Sequence, residues 1–548
     1  MLAGRMMDYP LTLTHFLDRA RTYHARCEIV TQNPDRTVSR STYADLHRRA
    51  SKLAHALTRL GVRAGDRVAT LCWNHARHLE LYLGVPAMGA VLHTLNLRLH
   101  PSELGYIASH AEDKVVVVDR SLLPLFRKFA PEVRSIQRVL VLDDDGPVDP
   151  AAGDGLDYEA LLAPEPDHFD FPSLDERAAA MLCYTSGTTG NPKGVAYSHR
   201  SIVLHTLVSC MHDALGFRDR DIVLPVVPMF HAMAWGLPYG AIATGARLVL
   251  PGPHLDAASL LDLMARERVT FAAGVPTIWL GILALLDEHP KRWDLSSMRA
   301  MVIGGSAAPP ALIDGFRARH GLVVLHAWGM TETNPLGTVA HVRSSLGRLH
   351  EDPAASLQTR ASQGYPVPFI DQRHVDANDR PLPWDGRTMG ELEVRGPWVA
   401  SSYFGGEGED RFTKDGWFKT GDVVTIDAEG YMRITDRTKD VIKSGGEWIS
   451  SVALENALMS HPAVLEAAVF AARHPLWGER PLAAIVLRQG QSASKEQLHA
   501  LLEPRFAKFW LPDEYLFLER IPRTSTGKFL KSRLREEFAD LLEKKASG

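Results

Sequence analysis

The chain is 548 residues long, 45% hydrophobic and 23% charged, with a formal net charge of -4. Single hydrophobic cores stop growing near roughly 250–300 residues, so two or more domains are expected, and the slight negative charge excludes the basic field that nucleic acid requires. Cys27, Cys72, Cys183 and Cys210 are scattered, with no CxxC and no ligand-like spacing to histidine, which reads as reduced thiols in a cytoplasmic protein.

The opening "MLAGRMMDYPLTLTHF" places Arg5 and Asp8 where a secretory signal needs an unbroken apolar core, so no leader is expected. Leu46, Ala50, Leu53, Leu57 and Leu60 then recur at helical spacing, with Thr42 placed to cap and Gly61 to stop. "DRVATLC" reads as a short buried strand and "HARHLELYLGVPAMGA" as another helix, an alternation that predicts an α/β architecture. The Asp/Gly/Pro-rich stretch 143–155 reads as a surface loop. Val269 to Leu286 carries no charge and reaches the length of about 18 residues at which a membrane span is considered. "GVP" divides it, however, and it reads as a buried strand followed by a helix opening at Pro276, without membrane insertion.

Three apolar runs that read as strands give way to small or polar loops: "AAMLCY" to "TSGTTGNPKG", "MVI" to "GGSAAPP", and "LVVLH" to "AWGMTETNP". Ligands bind where the carboxyl ends of parallel strands meet their loops, so the three are expected to line one cleft. In the first, glycines let main-chain N–H groups turn toward an anion while hydroxyls and Lys193 add donors and charge, which suggests a phosphate cradle. It is not a Walker loop, because Gly194 follows Lys193; the alternative is a linker rich in turn residues. "GGSAAP" would let a flat ring lie against main chain. "AWGMTE" offers an aromatic face at Trp328, a hydroxyl at Thr331 and a carboxylate for a hard cation at Glu332, although Trp328 alone could equally be a core residue. Asp422 and Arg437 are candidates for ribose hydroxyls and a phosphate; taken singly they read as a surface ion pair, and Lys528 as a solvated lysine. Past Arg437 the texture changes, and a boundary near Thr438 leaves about 110 residues for a small α+β domain.

"YTSGTTGNPKG", "VVPMFHAMAWGLPY", "HAWGMTETNP", "WFKTGDV", "YMRITDRTKDVIKSGGEWIS" and "PRTSTGK" occur in that order from 184 to 528. Together they resemble the AMP-forming acyl-CoA synthetases, the acyl-adenylate-forming superfamily. The resemblance implies a large amino-terminal α/β domain with layered sheets, residues 1–437, holding ATP and the acid. It also implies a mobile carboxyl-terminal α+β domain, residues 438–548, that brings a lysine and the coenzyme A passage. It implies the substrates ATP, coenzyme A and a carboxylic acid, with Mg2+ as cofactor, and it allows a homodimer.

By that resemblance Thr185, Ser186, Gly187, Thr188, Thr189, Gly190 and Lys193 hold the pyrophosphate end, and Thr188 joins Glu332 on Mg2+. Gly304, Gly305, Ser306, Ala327, Trp328, Gly329, Met330 and Thr331 take the nucleotide, with Trp328 stacked on adenine and Thr331 at the α-phosphate. Asp422, Ile434 and Arg437 belong to the ribose side. Lys528 bridges carboxylate and α-phosphate during adenylation, Lys439 is the hinge, Ser444, Gly445 and Gly446 line the pantetheine passage, and Lys443, Glu447 and Trp448 count among the cofactor-binding residues. His231 lies beside the carboxylate, Trp235 gates the acyl tunnel, and Gly305 and Gly329 complete the pocket. The pattern around His231 and Trp235 is similar to the fatty-acid branch, implying a medium- or long-chain fatty acid as substrate, while ligases for 3-methylmercaptopropionate share it. Ala232-Met233 and Asn334 depart from the commoner residues of that branch, which leaves chain length open. A catalytically silent nucleotide-binding protein and a phosphotransferase are the readings from other classes.

Overall fold

Thr42 opens the helix Tyr43–Arg59 with a capping box, its hydroxyl accepting from the Asp45 N–H while Asp45 reaches back, so one short sequence satisfies two otherwise orphaned donors. Leu46, Ala50, Leu53 and Leu57 of that helix are buried, as the spacing predicts, while Leu60 caps its end and is half-buried. The computed structural model describes residues 2–144, 146–149, 153–185, 191–346, 352–444, 447–523 and 529–542.

Two large sheets form the amino-terminal part. The first runs, from edge to edge, Tyr365–Pro366, Leu336–Val339, Val324–Gly329, Ala300–Ile303, Phe271–Gly274, Ile222–Pro225, Arg247–Leu250, Glu28–Gln32 and Val38–Thr42. Its middle strands are parallel and joined by helices such as Pro276–Glu288, which opens at Pro276 as expected. The second runs Leu156–Asp157, Arg138–Leu142, Asp113–Asp119, Arg67–Leu71, Val91–Thr94, Ala179–Tyr184 and Gly194–Ser198, parallel until the last pair. One core draws on both sheets and on the helices Tyr43–Arg59, Ala76–Ala87 and Leu237–Thr244, so the two sheets are locked as one body. A four-stranded antiparallel sheet, from Asp371–Val375 to Met432–Arg437, follows.

The residues from Ile442 onward form a separate small domain. Its sheet is built on the hairpin Val464–His474/Gly478–Leu487, covered on its two faces by cores whose members all lie in this part of the chain.

Two details differ from the sequence expectation. Ala179–Tyr184 lies in the second sheet while Ala300–Ile303 and Val324–Gly329 lie in the first, so the three loops come from two sheets instead of one. "AWG" is also not loop: the strand runs on through Gly329, because Ala327 and Trp328 pair antiparallel with Val339 and Thr338.

Candidate active site

Trp328 and Asp422 meet where the first sheet faces the four-stranded sheet. The Trp328 ring lies on Gly337, where a Cβ would fall 2.5 Å from the indole, and its Nε1–H donates to Asp422 Oδ2 at 2.9 Å. Asp422 stands opposite Arg437 in the hairpin Phe418–Ile426/Met432–Arg437. Arg437 Nε forms an ion pair with Oδ1 at 2.8 Å, and among the described residues that buried oxygen accepts no hydrogen bond. A carboxylate that is 1% exposed, bonded to an indole edge through one oxygen and paired by charge alone through the other, fits a sugar diol next to a base. Ile434 lies on the same hairpin, its N–H donating to Gln363 Oε1 at 2.6 Å.

Thr185 and Lys193 close the hairpin that leaves the second sheet. Thr185 N–H donates to the Lys193 carbonyl at 2.9 Å, and Lys193 N–H to Thr185 Oγ1 at 3.1 Å. Ser186, Gly187, Thr188, Thr189 and Gly190 lie outside the described residues. Lys193 Nζ sits 5.1 Å from the Tyr403 ring centre, and the Tyr403 hydroxyl donates to Glu332 Oε1 at 2.6 Å. Burial, together with the Glu332 charge, pushes the Tyr403 phenol well above its ordinary value. Gly408 completes the contact, since a Cβ there would reach 2.6 Å from Lys193 Nζ. Tyr403 thus joins the lysine of one sheet to the carboxylate of the other. Sequence reasoning missed it, because "SSYFGG" carries no signal beyond an aromatic in a polar turn.

Thr331 and Glu332 form a short 3-10 turn after Gly329 and Met330. The helix His199–Ser209 and the strand before it grip this segment: Tyr197 OH donates to the Thr331 carbonyl at 2.6 Å, Asn334 Nδ2 to Ser201 Oγ at 3.0 Å, and Leu336 N–H to His205 Nε2 at 3.3 Å. The spacing 197, 201, 205 was available in the sequence and marks one face of a helix and its lead-in strand.

A cavity of about 60 Å³ is lined by His231, Trp235, Gly305, Ser306, Phe230 and Val275, among others. The Trp235 indole packs on two glycines: a Cβ on Gly304 would lie 3.1 Å from Cη2, and one on Gly305 3.5 Å from Cζ2. Trp235 ends a left-handed turn, with φ of 42°, 56°, 49° and 57° at Ala232, Met233, Ala234 and Trp235 and 75° at Gly236. L-residues in that region cost about 1–2 kcal/mol each, so the turn is held by its surroundings and not by its own preference.

In the small domain Lys443 Nζ stands 6.0 Å from the Trp448 ring centre, and Arg480 donates to Ser444 Oγ at 3.3 Å. Gly445 and Gly446, the side chain of Glu447, and Lys528 fall outside the described residues. Lys439 is exposed in the turn between the strands Met432–Arg437 and Ile442–Ser444. Around it, Ser451 N–H donates to Asp436 Oδ2 at 2.6 Å, Arg535 pairs with Asp440 at 2.6 Å, and Ser450 Oγ donates to the Thr435 carbonyl. Trp328, Asp422, Arg437, Thr331, Glu332 and Lys193 therefore gather in one region, with Trp235 and His231 facing the adjoining cavity.

A second polar cluster lies apart. The ligating atoms of buried Cys72, His75 and Asp119 fall within 4.8 Å of one another. His75 Nδ1 accepts from the His78 N–H at the start of the helix Ala76–Ala87, its Nε2 faces Asp119 at 2.9 Å, and Asp119 accepts from the Trp73 N–H at 2.7 Å. Both ring nitrogens are engaged, so the cluster acts as a helix cap tied to a strand end.

The AMP-binding enzyme family matches residues 17–404, and its carboxyl-terminal domain matches 453–528. A long-chain-fatty-acid–CoA ligase of Thermus thermophilus is 50% identical over 97% of this chain and 96% of its own. A 3-methylmercaptopropionyl-CoA ligase of Ruegeria pomeroyi is 46% identical over 99% and 100%, and a medium-chain-fatty-acid–CoA ligase of Ectopseudomonas oleovorans 43% over the whole of both chains. Among solved structures, anthranilate CoA ligase AuaEII with anthranoyl-AMP superposes with a TM-score of 0.85 at 27% identity, covering 97% of this chain and 98% of that one. ATP-bound MatB from Rhodopseudomonas palustris gives 0.84 at 27%, covering 97% and 100%. Among the described residues no helix is long and apolar enough to cross a membrane.

Proposed function

The chain belongs to the AMP-binding enzyme family, and from that premise we propose that it ligates a medium- or long-chain fatty acid to coenzyme A at the expense of ATP. The fatty acid carboxylate attacks the α-phosphorus of ATP, pyrophosphate leaves, and the acyl-adenylate forms; the thiol of coenzyme A then attacks the acyl carbon and AMP leaves with the bond's electrons. The observation that carries this reading is the buried Trp328–Asp422 pair, whose Oδ1 is ion-paired with Arg437, set against an apolar cavity faced by His231 and Trp235. The fatty-acid ligases at 50% and 43% identity support the substrate class.

The roles of individual residues belong to the same proposal. Trp328 carries adenine, Asp422 and Arg437 the ribose, and Thr331 the α-phosphate, while the 185–193 segment with Lys193 takes the departing pyrophosphate. Glu332 keeps Oε2 without a hydrogen-bond partner among the described residues, since Tyr403 occupies Oε1, and a hard cation suits such an oxygen. We place Mg2+ there with Thr188; when bound it neutralises phosphate charge. His231 orients the incoming carboxylate. Lys528 supplies the cation between two anions that must approach, which lowers the barrier more than it stabilises either ground state. Residues 1–437 are the adenylating body and 438–548 the moving one, turning at Lys439 so that the 444–446 segment receives pantetheine. The cytoplasm and a homodimer complete the proposal.

A short thioether acid is the second reading, favoured by the small cavity of about 60 Å³ and by the ligase at 46% identity. A panel of straight-chain acids and 3-methylmercaptopropionate, assayed for AMP and thioester formation with ATP, Mg2+ and coenzyme A, separates the two. Turnover rising through eight to twelve carbons is expected; no turnover above six carbons would overturn the fatty-acid reading.

A further inference from the structure

His205 lies outside the residues given a role above, yet three segments of the site close on its ring. Its Nε2 accepts the Leu336 N–H at 3.3 Å, directly after the Thr331–Thr333 turn and Asn334-Pro335. Nε2 must therefore be the lone-pair nitrogen, and Nδ1 carries the proton. That Nδ1–H is buried and has no acceptor among the described residues, and burial holds the ring neutral, its pKa down to about 3. Trp398 stands edge-on to it with ring centres 6.0 Å apart, and itself donates to the Leu336 carbonyl at 3.0 Å. The third side is Gly236: a Cβ there would lie 2.7 Å from His205 Cε1 and 3.0 Å from Nδ1.

A polar atom is buried unpaired only where shape demands that side chain, and here the shape in question is the end of the left-handed turn. Four residues, Ala232 to Trp235, hold positive φ without being glycine, and the helix Leu237–Thr244 begins immediately after. The turn cannot relax toward right-handed geometry while the imidazole fills the space behind Gly236. Trp235 consequently stays pressed on Gly304 and Gly305, at the wall of the cavity faced by His231.

We infer that His205 is a positioning residue for the acyl end of the site: a wedge between Leu336 and Gly236 that fixes the Trp235 indole and thereby sets how long an acid the cavity admits. The inference rests on the ligase reading, and it assigns chain-length selection to a side chain that does not line the cavity.

The test compares the parent enzyme with His205→Ala, His205→Gln, Gly236→Ala and the double variant His205→Ala/Gly236→Ala, using butanoate, octanoate and dodecanoate. In His205→Ala the turn gains room to withdraw the indole, so the ratio of kcat/KM for dodecanoate over butanoate is expected to rise at least about tenfold, the discrimination that one or two methylenes carry in an apolar pocket, with KM for ATP within about twofold of the parent. His205→Gln keeps an oxygen for the Leu336 N–H and most of the wedge volume, and is expected to retain the parent profile. Gly236→Ala alone should disturb acid KM strongly, and less so once His205 is alanine, because the two then no longer collide. An unchanged chain-length ratio in His205→Ala, or equal increases in KM for acid and for ATP, would overturn the inference while leaving the ligase reading intact. A parent enzyme that forms no thioester from any acid would overturn both.

Discussion

At the scale of single residues, the arrangement is decided by which polar atoms are left over after the protein has satisfied its own. Asp422 gives one oxygen to Trp328 and faces Arg437 with the other, which accepts no hydrogen bond among the described residues; Glu332 spends one on Tyr403. Tyr403 ties together the groups proposed to hold the phosphates, since its ring faces Lys193 Nζ at 5.1 Å while its hydroxyl holds the Glu332 carboxylate. Tyr403→Phe keeps the ring and deletes the hydrogen bond. A hydrogen bond to a charged group is worth about 1.5–3 kcal/mol, so ATP–pyrophosphate exchange is expected to fall roughly tenfold to a hundredfold and to need more Mg2+, with coenzyme A kinetics unchanged. Exchange that stays at the parent rate would show that Glu332 is positioned by other means.

At the scale of elements, much of the architecture was readable because short-range signals carried it. The cap at Thr42 and the break at "GVP" before Pro276 each specify backbone geometry within a few residues, and the structure has both. What could not be read is long-range pairing. Nothing in "AAMLCY" says that it joins Val91–Thr94 in a second sheet, and nothing in "LVVLH" says that its strand continues to Gly329 against Leu336–Val339. Those choices depend on partners far along the chain. The candidate site was legible to the same extent: Trp328, Glu332, Asp422 and Lys193 stand out by chemistry in small-residue surroundings. Tyr403 and His205 do not, because their significance lies in contacts that only the fold creates. The left-handed turn before Gly236 was equally invisible, since Ala, Met and Trp have no preference for it.

At the scale of the whole molecule, the distribution of buried histidines sets a pH limit. Burial holds His78 and His205 at about 3 and His199 and His326 at about 4, against an ordinary 6.5. Below 6.5 the unfolded chain takes up protons that the folded chain refuses, so stability falls with pH from 6.5 toward 4. At pH 5 each group costs about 2 kcal/mol, and the four together about 8 kcal/mol, comparable with the roughly 5–15 kcal/mol of an ordinary domain. All four lie in the amino-terminal part of the chain. Carboxyls run the other way: burial raises Glu80, Asp113 and Asp144 in the large part and pushes Glu455 in the small domain up to about 7 against the pull of Lys531, and a raised carboxyl favours the folded state as pH falls below its value. Acidification to pH 5 is therefore expected to open the large domain first. Hydrogen exchange read by mass spectrometry across pH 7.5 to 4.5 checks the order, and loss of protection in 442–542 before 30–340 would contradict it.

The proposed ligation would also join the two domains in time, with Lys528 serving the first half-reaction and the 444–446 segment the second. Lys528→Ala measured in both halves tests this most directly: ATP–pyrophosphate exchange with a fatty acid, and conversion of a supplied acyl-adenylate with coenzyme A to thioester. The account predicts that exchange is lost by several orders of magnitude while thioester formation proceeds at close to the parent rate. Equal loss in both assays, or an exchange rate that the substitution leaves intact, would contradict it.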